Sequence, residues 1–169
     1  NNLGDANNNP SVVLAGGTYN ADPRISAQYG SNLITLAENY VAVENNGVWN
    51  VVKAAAKIGT TGYATLEAAF KAATSGCTID ILSDVTVDYN WDARNTGGKF
   101  TVPVTINGNG KTIKFTASVN DNNYQAPFRF EADATVKNLT IDMSEVTDNR
   151  FRAISSKGNL TVDGCKFIG

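Results

Sequence analysis

The segment Asp88-Tyr89-Asn90-Trp91-Asp92-Ala93-Arg94 concentrates more chemistry-bearing side chains than any other stretch of this 169-residue chain. Asp88, Asn90 and Asp92 alternate, as the first oxygen ligands of a calcium loop do. The pattern then stops. The sixth position is Ala93 where the loop's sharp turn needs Gly, and the twelfth is Lys99 where a bidentate Glu would complete the shell. Calcium is therefore the one ion to test at these three residues, and otherwise no cofactor is expected. Tyr89 and Trp91, with Tyr124 further on, stand among polar residues. An exposed ring there can stack on a sugar, and it can equally fold back over apolar surface. With Arg94 beside them they form the candidate ligand contacts, for a glycan or a host or cell-surface protein.

The chain has no histidine, which removes Ser-His-Asp and Cys-His nucleophiles and every His-ligated metal site. Its two cysteines, Cys77 and Cys165, cannot complete a metal site alone. Glycoside cleavage needs two carboxyl groups about 5 to 10 Å apart on one face. Asp80, Asp84, Asp88, Asp142 and Asp163 meet that need only if the fold stacks them suitably. The sequons at Asn138-Leu139-Thr140 and Asn159-Leu160-Thr161 fall in expected strands or corners and are given no role.

An apolar fraction of 42% with 18% charged residues belongs to a folded chain, and a net charge of −2 with scattered basic residues leaves no footprint for nucleic acid. No apolar run approaches the roughly 20 residues of a membrane span. The first residue is Asn1 and no signal peptide is visible, so a mature product or an excised fragment is expected. The 21 asparagines suit a fold of many short strands and tight corners, because Asn tolerates the left-handed backbone that corners demand.

Two kinds of organisation meet near Lys53 to Lys57, giving expected domains at 1–52 and 53–169. In the first, Tyr40-Val41-Ala42-Val43 and Val48-Trp49-Asn50-Val51-Val52 flank Asn46-Gly47, a strong hairpin signal. In the second, Thr65 can cap a helix over about 65–75. Its Leu66, Ala69, Phe70 and Ala73 fall on one stripe, and Gly76 marks its end. The period then becomes strand-like. Val85-Thr86-Val87, Val104-Thr105-Ile106, Ala134-Thr135-Val136 and Leu160-Thr161-Val162 repeat one apolar-Thr-apolar strand, and three of the four lead into a polar corner and a second strand. Ile106 to Val136 spans 30 residues and Val136 to Val162 spans 26; repeats of this length, built from short strands, predict coils stacked about 4.8 Å apart, with the helix covering one end. Val87, Ile106, Val136 and Val162 should then form one vertical column. Cys77 and Cys165 would lie about 14 Å apart, beyond the roughly 7 Å a disulfide allows, and should be free thiols.

Several motifs resemble those of bacterial surface repeat proteins. Ala15-Gly16-Gly17-Thr18-Tyr19-Asn20, Leu36 to Val43 and Asn46-Gly47-Val48-Trp49 resemble a closing hairpin module. Ile58-Gly59-Thr60-Thr61-Gly62-Tyr63-Ala64-Thr65-Leu66-Glu67-Ala68-Ala69, with Ile79 to Leu82 and the turn Asn107 to Lys111, resembles the opening of the next. The resemblance, to adhesin-like members of the pectate-lyase-like solenoids, implies a mainly β fold: a right-handed parallel β-helix with a short capping helix, preceded by a small hairpin module. It also implies an extracellular or cell-surface location and a non-catalytic structural or adhesive role. Closing before opening module departs from one complete solenoid and suggests a junction in a longer array. The His-containing motif of the polygalacturonase-like relatives is absent, and Arg94, Arg129, Arg150 and Arg152 do not fall in the lyases' Arg motif, so a lyase or hydrolase is the weaker alternative. The other alternative is a self-assembling fibre or filament subunit, phage fibres included. There the last coil, which stops at Gly169 without a cap, offers free strand edges for a homo-oligomer.

Overall fold

The computed structural model describes residues 12–25, 34–88, 98–117, 126–146 and 152–169. The chain divides into two compact units, Asn1–Ala54 and Ala55–Gly169.

In the first unit β1 (Val12–Leu14), β2 (Gly17–Tyr19), β3 (Ile34–Leu36), β4 (Tyr40–Asn45) and β5 (Val48–Lys53) form two small sheets. β1 and β3 pair in parallel, while β2, β5 and β4 form an antiparallel sheet in that order. The β4–β5 hairpin turns on Asn46 and Gly47, whose φ of 52° and 79° are the two consecutive positive values that such a turn demands.

The second unit opens with β6 (Ala56–Ile58), β7 (Thr61–Tyr63) and α1 (Leu66–Lys71). The Thr65 hydroxyl accepts the Ala68 amide at 3.2 Å and satisfies one of the amides a helix start leaves unpaired. Leu66, Ala69 and Phe70 are buried on one side of α1. The helix ends at Lys71, short of the sequence expectation. The Ala72 amide turns back to the Ala68 and Phe70 carbonyls, and Gly76, at φ 77°, serves the turn into the next strand instead. Thr65→Ala is expected to lower stability by about 1 kcal/mol, the usual worth of an N-cap, read as a shifted urea midpoint with unchanged slope.

Eleven strands follow: β8 (Cys77–Ile81), β9 (Val85–Asp88), β10 (Lys99–Phe100), β11 (Val104–Asn107), β12 (Thr112–Ala117), β13 (Phe128–Phe130), β14 (Ala134–Lys137), β15 (Thr140–Val146), β16 (Ile154–Ser156), β17 (Leu160–Asp163) and β18 (Lys166–Ile168). They are dealt in rotation to three sheets. The first sheet holds β8, β11, β14 and β17, the second β9, β12, β15 and β18, and the third β10, β13 and β16. Within each series the pairing is parallel and in chain order. Only the first sheet is mixed, because β6 adds antiparallel to β8 and β7 to β6.

Alternation fixes what faces inward. Val104, Ile106, Ala134 and Val136 are buried, while Thr105, Asn107, Thr135 and Lys137 are partly exposed. Paired residues form columns: Ile79, Ile106, Val136 and Val162 inside the first sheet, and Val85, Ile113, Ile141 and Phe167 in the second. The column expected from sequence is thereby corrected at one member. Val87 belongs to the second sheet, beside Phe115, and Ile79 takes its place. Both strands show the same apolar alternation, so periodicity cannot tell which sheet receives them.

The third sheet contributes aromatics. Phe100 and Phe130 stack with centroids 5.3 Å apart, and Phe128 touches Phe70, Phe115 and Phe130 at 5.8, 6.0 and 6.3 Å. Among the described residues no polar or charged side chain is buried. Both thiols are free: Cys77 opens β8, and Cys165 precedes β18 with its Sγ toward the Val136 carbonyl at 3.4 Å.

Candidate functional site

Of the three corners between sheets, two are short and stacked. From the first sheet to the second, the Gly108 amide donates to Lys137 O (2.7 Å) and the Asn138 amide to Asp163 O (2.9 Å), so each corner is bonded to the next. From the third sheet back to the first, the Lys157 amide donates to Phe130 O (2.8 Å), and the Asp133 carboxylate accepts the Asn159 amide (2.8 Å).

The remaining corner differs. Strands β9, β12 and β15 are neighbours, with Thr116 beside Asp88 and Ala117 beside Val146 at their ends, and β10, β13 and β16, where the chain lands, are neighbours too. Segments 89–97, 118–125 and 147–151 therefore all leave from one sheet and arrive on one other. Tyr89, Asn90, Trp91, Asp92 and Arg94 belong to the first of these and Tyr124 to the second, outside the described residues. Asp88 is described by its backbone, as the last residue of β9.

Several described charges on the second and third sheets are engaged. Lys114 donates to Glu145 at 2.6 Å, and that hydrogen bond raises the ammonium pKa. Asp142 accepts the Ser144 amide at 2.9 Å, and its hydrogen bonds with Ser144 hold its carboxyl below the ordinary value. On the third sheet Glu131 lies between Lys157 (3.3 Å) and Lys99 (3.5 Å), and the Lys157 bond chiefly lowers its pKa.

Of the carboxylates considered for a hydrolase, Asp80 and Asp163 are not brought together. Asp80, Asn107, Lys137 and Asp163 occupy one outward column, so Asp80 and Asp163 are three strand spacings apart, about 14 Å, with a lysine between them. Asp80 accepts from the Asn107 amide at 2.8 Å, and Asp84 accepts the Thr112 amide at 2.7 Å. Both hold corners. Among the described residues no group of His, Cys, Asp or Glu could hold a metal ion, and no helix is long and apolar enough to cross a membrane.

No family model, curated protein or solved structure matches this chain.

One cluster in the first unit has no sequence signature. Arg24 donates to Asp22 from Nε (2.9 Å) and Nη2 (2.7 Å), and its guanidinium lies 5.3 Å from the Trp49 ring centre. Trp49 pairs across the sheet with Tyr19. A cavity of about 540 Å³ opens beside the cluster, lined by Leu14, Tyr19, Asn20, Asp22, Ile25 and Ile34. An Asp and an Arg two apart in an irregular segment give no hint that a tryptophan from a hairpin will lie beneath them.

The Arg24 hydrogen bond holds the Asp22 carboxyl below its ordinary value. The folded pKa is thus lower than the unfolded one, so the pair's stabilisation is complete above the ordinary carboxylate range and disappears as pH falls through the folded value. In a Trp91→Phe background, Trp49 emission is expected to titrate with a midpoint below the free aspartate value of about 4. Arg24→Gln should raise that midpoint; equal midpoints in the two proteins would refute the assignment.

Proposed function

We propose that residues 77–169 form successive turns of a parallel β-helix, and that the chain is a non-catalytic structural or adhesive module of an extracellular surface protein. In this reading the β-helix is a rigid spacer. The chain segments that connect its second sheet to its third, 89–97, 118–125 and 147–151, would carry the contacts to a glycan or a cell-surface protein, with Tyr89, Trp91, Arg94 and Tyr124 as those contacts.

The supporting observation is the contrast between corners. Two are tied rung to rung by backbone hydrogen bonds, while the third carries insertions of unequal length rooted on neighbouring strands. Binding residues concentrate on segments held by a rigid scaffold. The motif resemblance to surface solenoid modules adds to this, and Asp80 and Asp163 stand too far apart for paired-carboxylate hydrolysis. Calcium held by Asp88, Asn90 and Asp92 would stiffen the first segment; isothermal titration with calcium tests it.

The test of function is binding to arrays of glycans and of host cell-surface proteins. Trp91→Ala should weaken a bound ligand roughly threefold to tenfold, the worth of one aromatic contact of about 0.5–1.5 kcal/mol. Binding indifferent to Tyr89, Trp91 and Tyr124 together would move the site elsewhere. Release of reducing or unsaturated sugars from a polysaccharide would overturn the non-catalytic reading.

A further inference from the structure

Asn-Gly occurs three times in the chain, at Asn46-Gly47, Asn107-Gly108 and Asn109-Gly110. Each pair carries the same latent reaction, because a glycine nitrogen, with no Cβ beside it, can reach the carboxamide carbon of the preceding asparagine. The fold treats the three differently. Asn107 Nδ2 donates to Asp80 (2.8 Å) and to Asn109 Oδ1 (2.9 Å), and Asn109 Nδ2 donates to the Ile81 carbonyl (3.1 Å). The glycine amides are held as well, Gly108 N–H by Lys137 O and Gly110 N–H by Asn138 O, both at 2.7 Å. Neither pair can react without opening bonds between neighbouring rungs.

Asn46, at the tip of the β4–β5 hairpin, has none of these restraints. Residues 43–48 are all exposed, and the Asn46 carboxamide has no hydrogen-bond partner among the described residues. Nothing lies within 4 Å of where a Cβ on Gly47 would stand. The Gly47 amide has one partner, and that partner is a base: the Glu44 carboxylate accepts it at 2.5 Å. A proton acceptor thus sits on the one nitrogen that must lose a proton, within the reach that general-base catalysis requires.

We propose that Asn46 is a self-modification site, at which the chain deamidates through a succinimide with Glu44 as the base. The Gly47 nitrogen attacks Asn46 Cγ as its proton passes to the Glu44 carboxylate. The N–Cγ bond forms, the Cγ–Nδ2 bond breaks, and the proton leaves with the departing nitrogen as ammonia. Water then opens the ring at either carbonyl, giving aspartate or isoaspartate, and no oxidant or cofactor is consumed. Both products set a new carboxylate in the turn that holds Glu44. Isoaspartate also lengthens the backbone inside a two-residue turn, so Asn45–Val48 and Glu44–Trp49 no longer pair in register. The change is irreversible and is confined to the hairpin of the first unit.

The test is incubation of the whole folded chain at mildly alkaline pH, followed over time by peptide mapping with mass spectrometry. Asn46 should gain one mass unit and yield both product isomers. Its conversion should be at least about tenfold faster than that of Asn107 or Asn109, whose hydrogen bonds must open first. In urea the three pairs should convert at similar rates, because the selectivity belongs to the fold. Glu44→Gln keeps an oxygen to accept the Gly47 amide but cannot take its proton. It should slow conversion at Asn46 by at least about tenfold, with circular dichroism and melting unchanged. An intact Asn46, equal rates at the three pairs in the folded chain, a preference for Asn46 that survives in urea, or an unchanged rate in Glu44→Gln would each overturn the proposal.

Discussion

Phe128→Ala is expected to destabilise the second unit by about 3–5 kcal/mol, the cost of deleting a large ring from a packed interior. Phe128 has no exposed surface and joins parts far apart in the chain: Phe70 of α1, Phe115 of β12 and Phe130 of its own strand. An alanine would leave a cavity bordered by rings from a helix and two sheets, and rings pinned on separate elements cannot all move inward to fill it. Because the unit's stability arises from residues stacking on neighbours, the loss should appear as one cooperative shift of the urea midpoint. Leu is the informative comparison. It retains most of the buried apolar area and should recover more than half of the loss. A Phe128→Ala protein within about 1 kcal/mol of the parent, the range of an ordinary substitution, would mean that the aromatic cluster does not bind the third sheet to the other two.

Gly108→Ala is expected to cost about 3 kcal/mol, the upper range of overpacking. The corner it occupies lies so close to the corner above that a Cβ would stand 2.3 Å from the Asn138 carbonyl oxygen and 2.5 Å from the Leu139 Cα. Both are backbone atoms, and the Gly108 amide is itself bonded to Lys137 O. The obstruction therefore yields only if adjacent rungs separate. Gly110 is the control. Its φ is 73° with nothing within 4 Å of an added Cβ, so alanine there meets only the left-handed backbone cost of about 1 kcal/mol. The difference between the two variants measures how closely the corners stack. Equal losses, read from the same denaturant curves, would mean that the rungs are looser than the geometry requires.

Much of this arrangement is legible in the residues because parallel stacking repeats one local pattern. Apolar-Thr-apolar strands ending in Asn or Gly corners announce the β11, β14 and β17 series, and Asn46-Gly47 announces its hairpin. What sequence alone does not settle is equally specific. The Val85–Val87 strand obeys the same alternation as its neighbours, so nothing local assigns it to the second sheet rather than the first. The third sheet is hidden for another reason: β10, β13 and β16 are two or three residues long, too short to display a period, although β10 and β13 carry the buried Phe100, Phe128 and Phe130. Helix α1 reads as longer than it is because Gly76 is a plausible terminus for the apolar stripe, whereas the chain leaves the helix at Lys71. The candidate ligand contacts are legible as composition, aromatic and polar residues in segments 89–97 and 118–125, and that these two segments connect the same pair of sheets emerges only once the strands are assigned. The Asp22–Arg24–Trp49 cluster depends on a contact between an irregular segment and a hairpin, and no spacing rule encodes that.

The central claim is that Ile79, Ile106, Val136 and Val162 lie one above another on parallel strands. Solution NMR of the isotopically labelled chain tests it most directly, through cross-strand nuclear Overhauser contacts between backbone protons. Contacts of the parallel type are predicted between Thr78 and Thr105, Thr105 and Thr135, and Thr135 and Thr161, with methyl contacts linking each inward residue only to the rung above and the rung below. Antiparallel contacts among these strands, or contacts joining Val87 rather than Ile79 to Ile106, would contradict it.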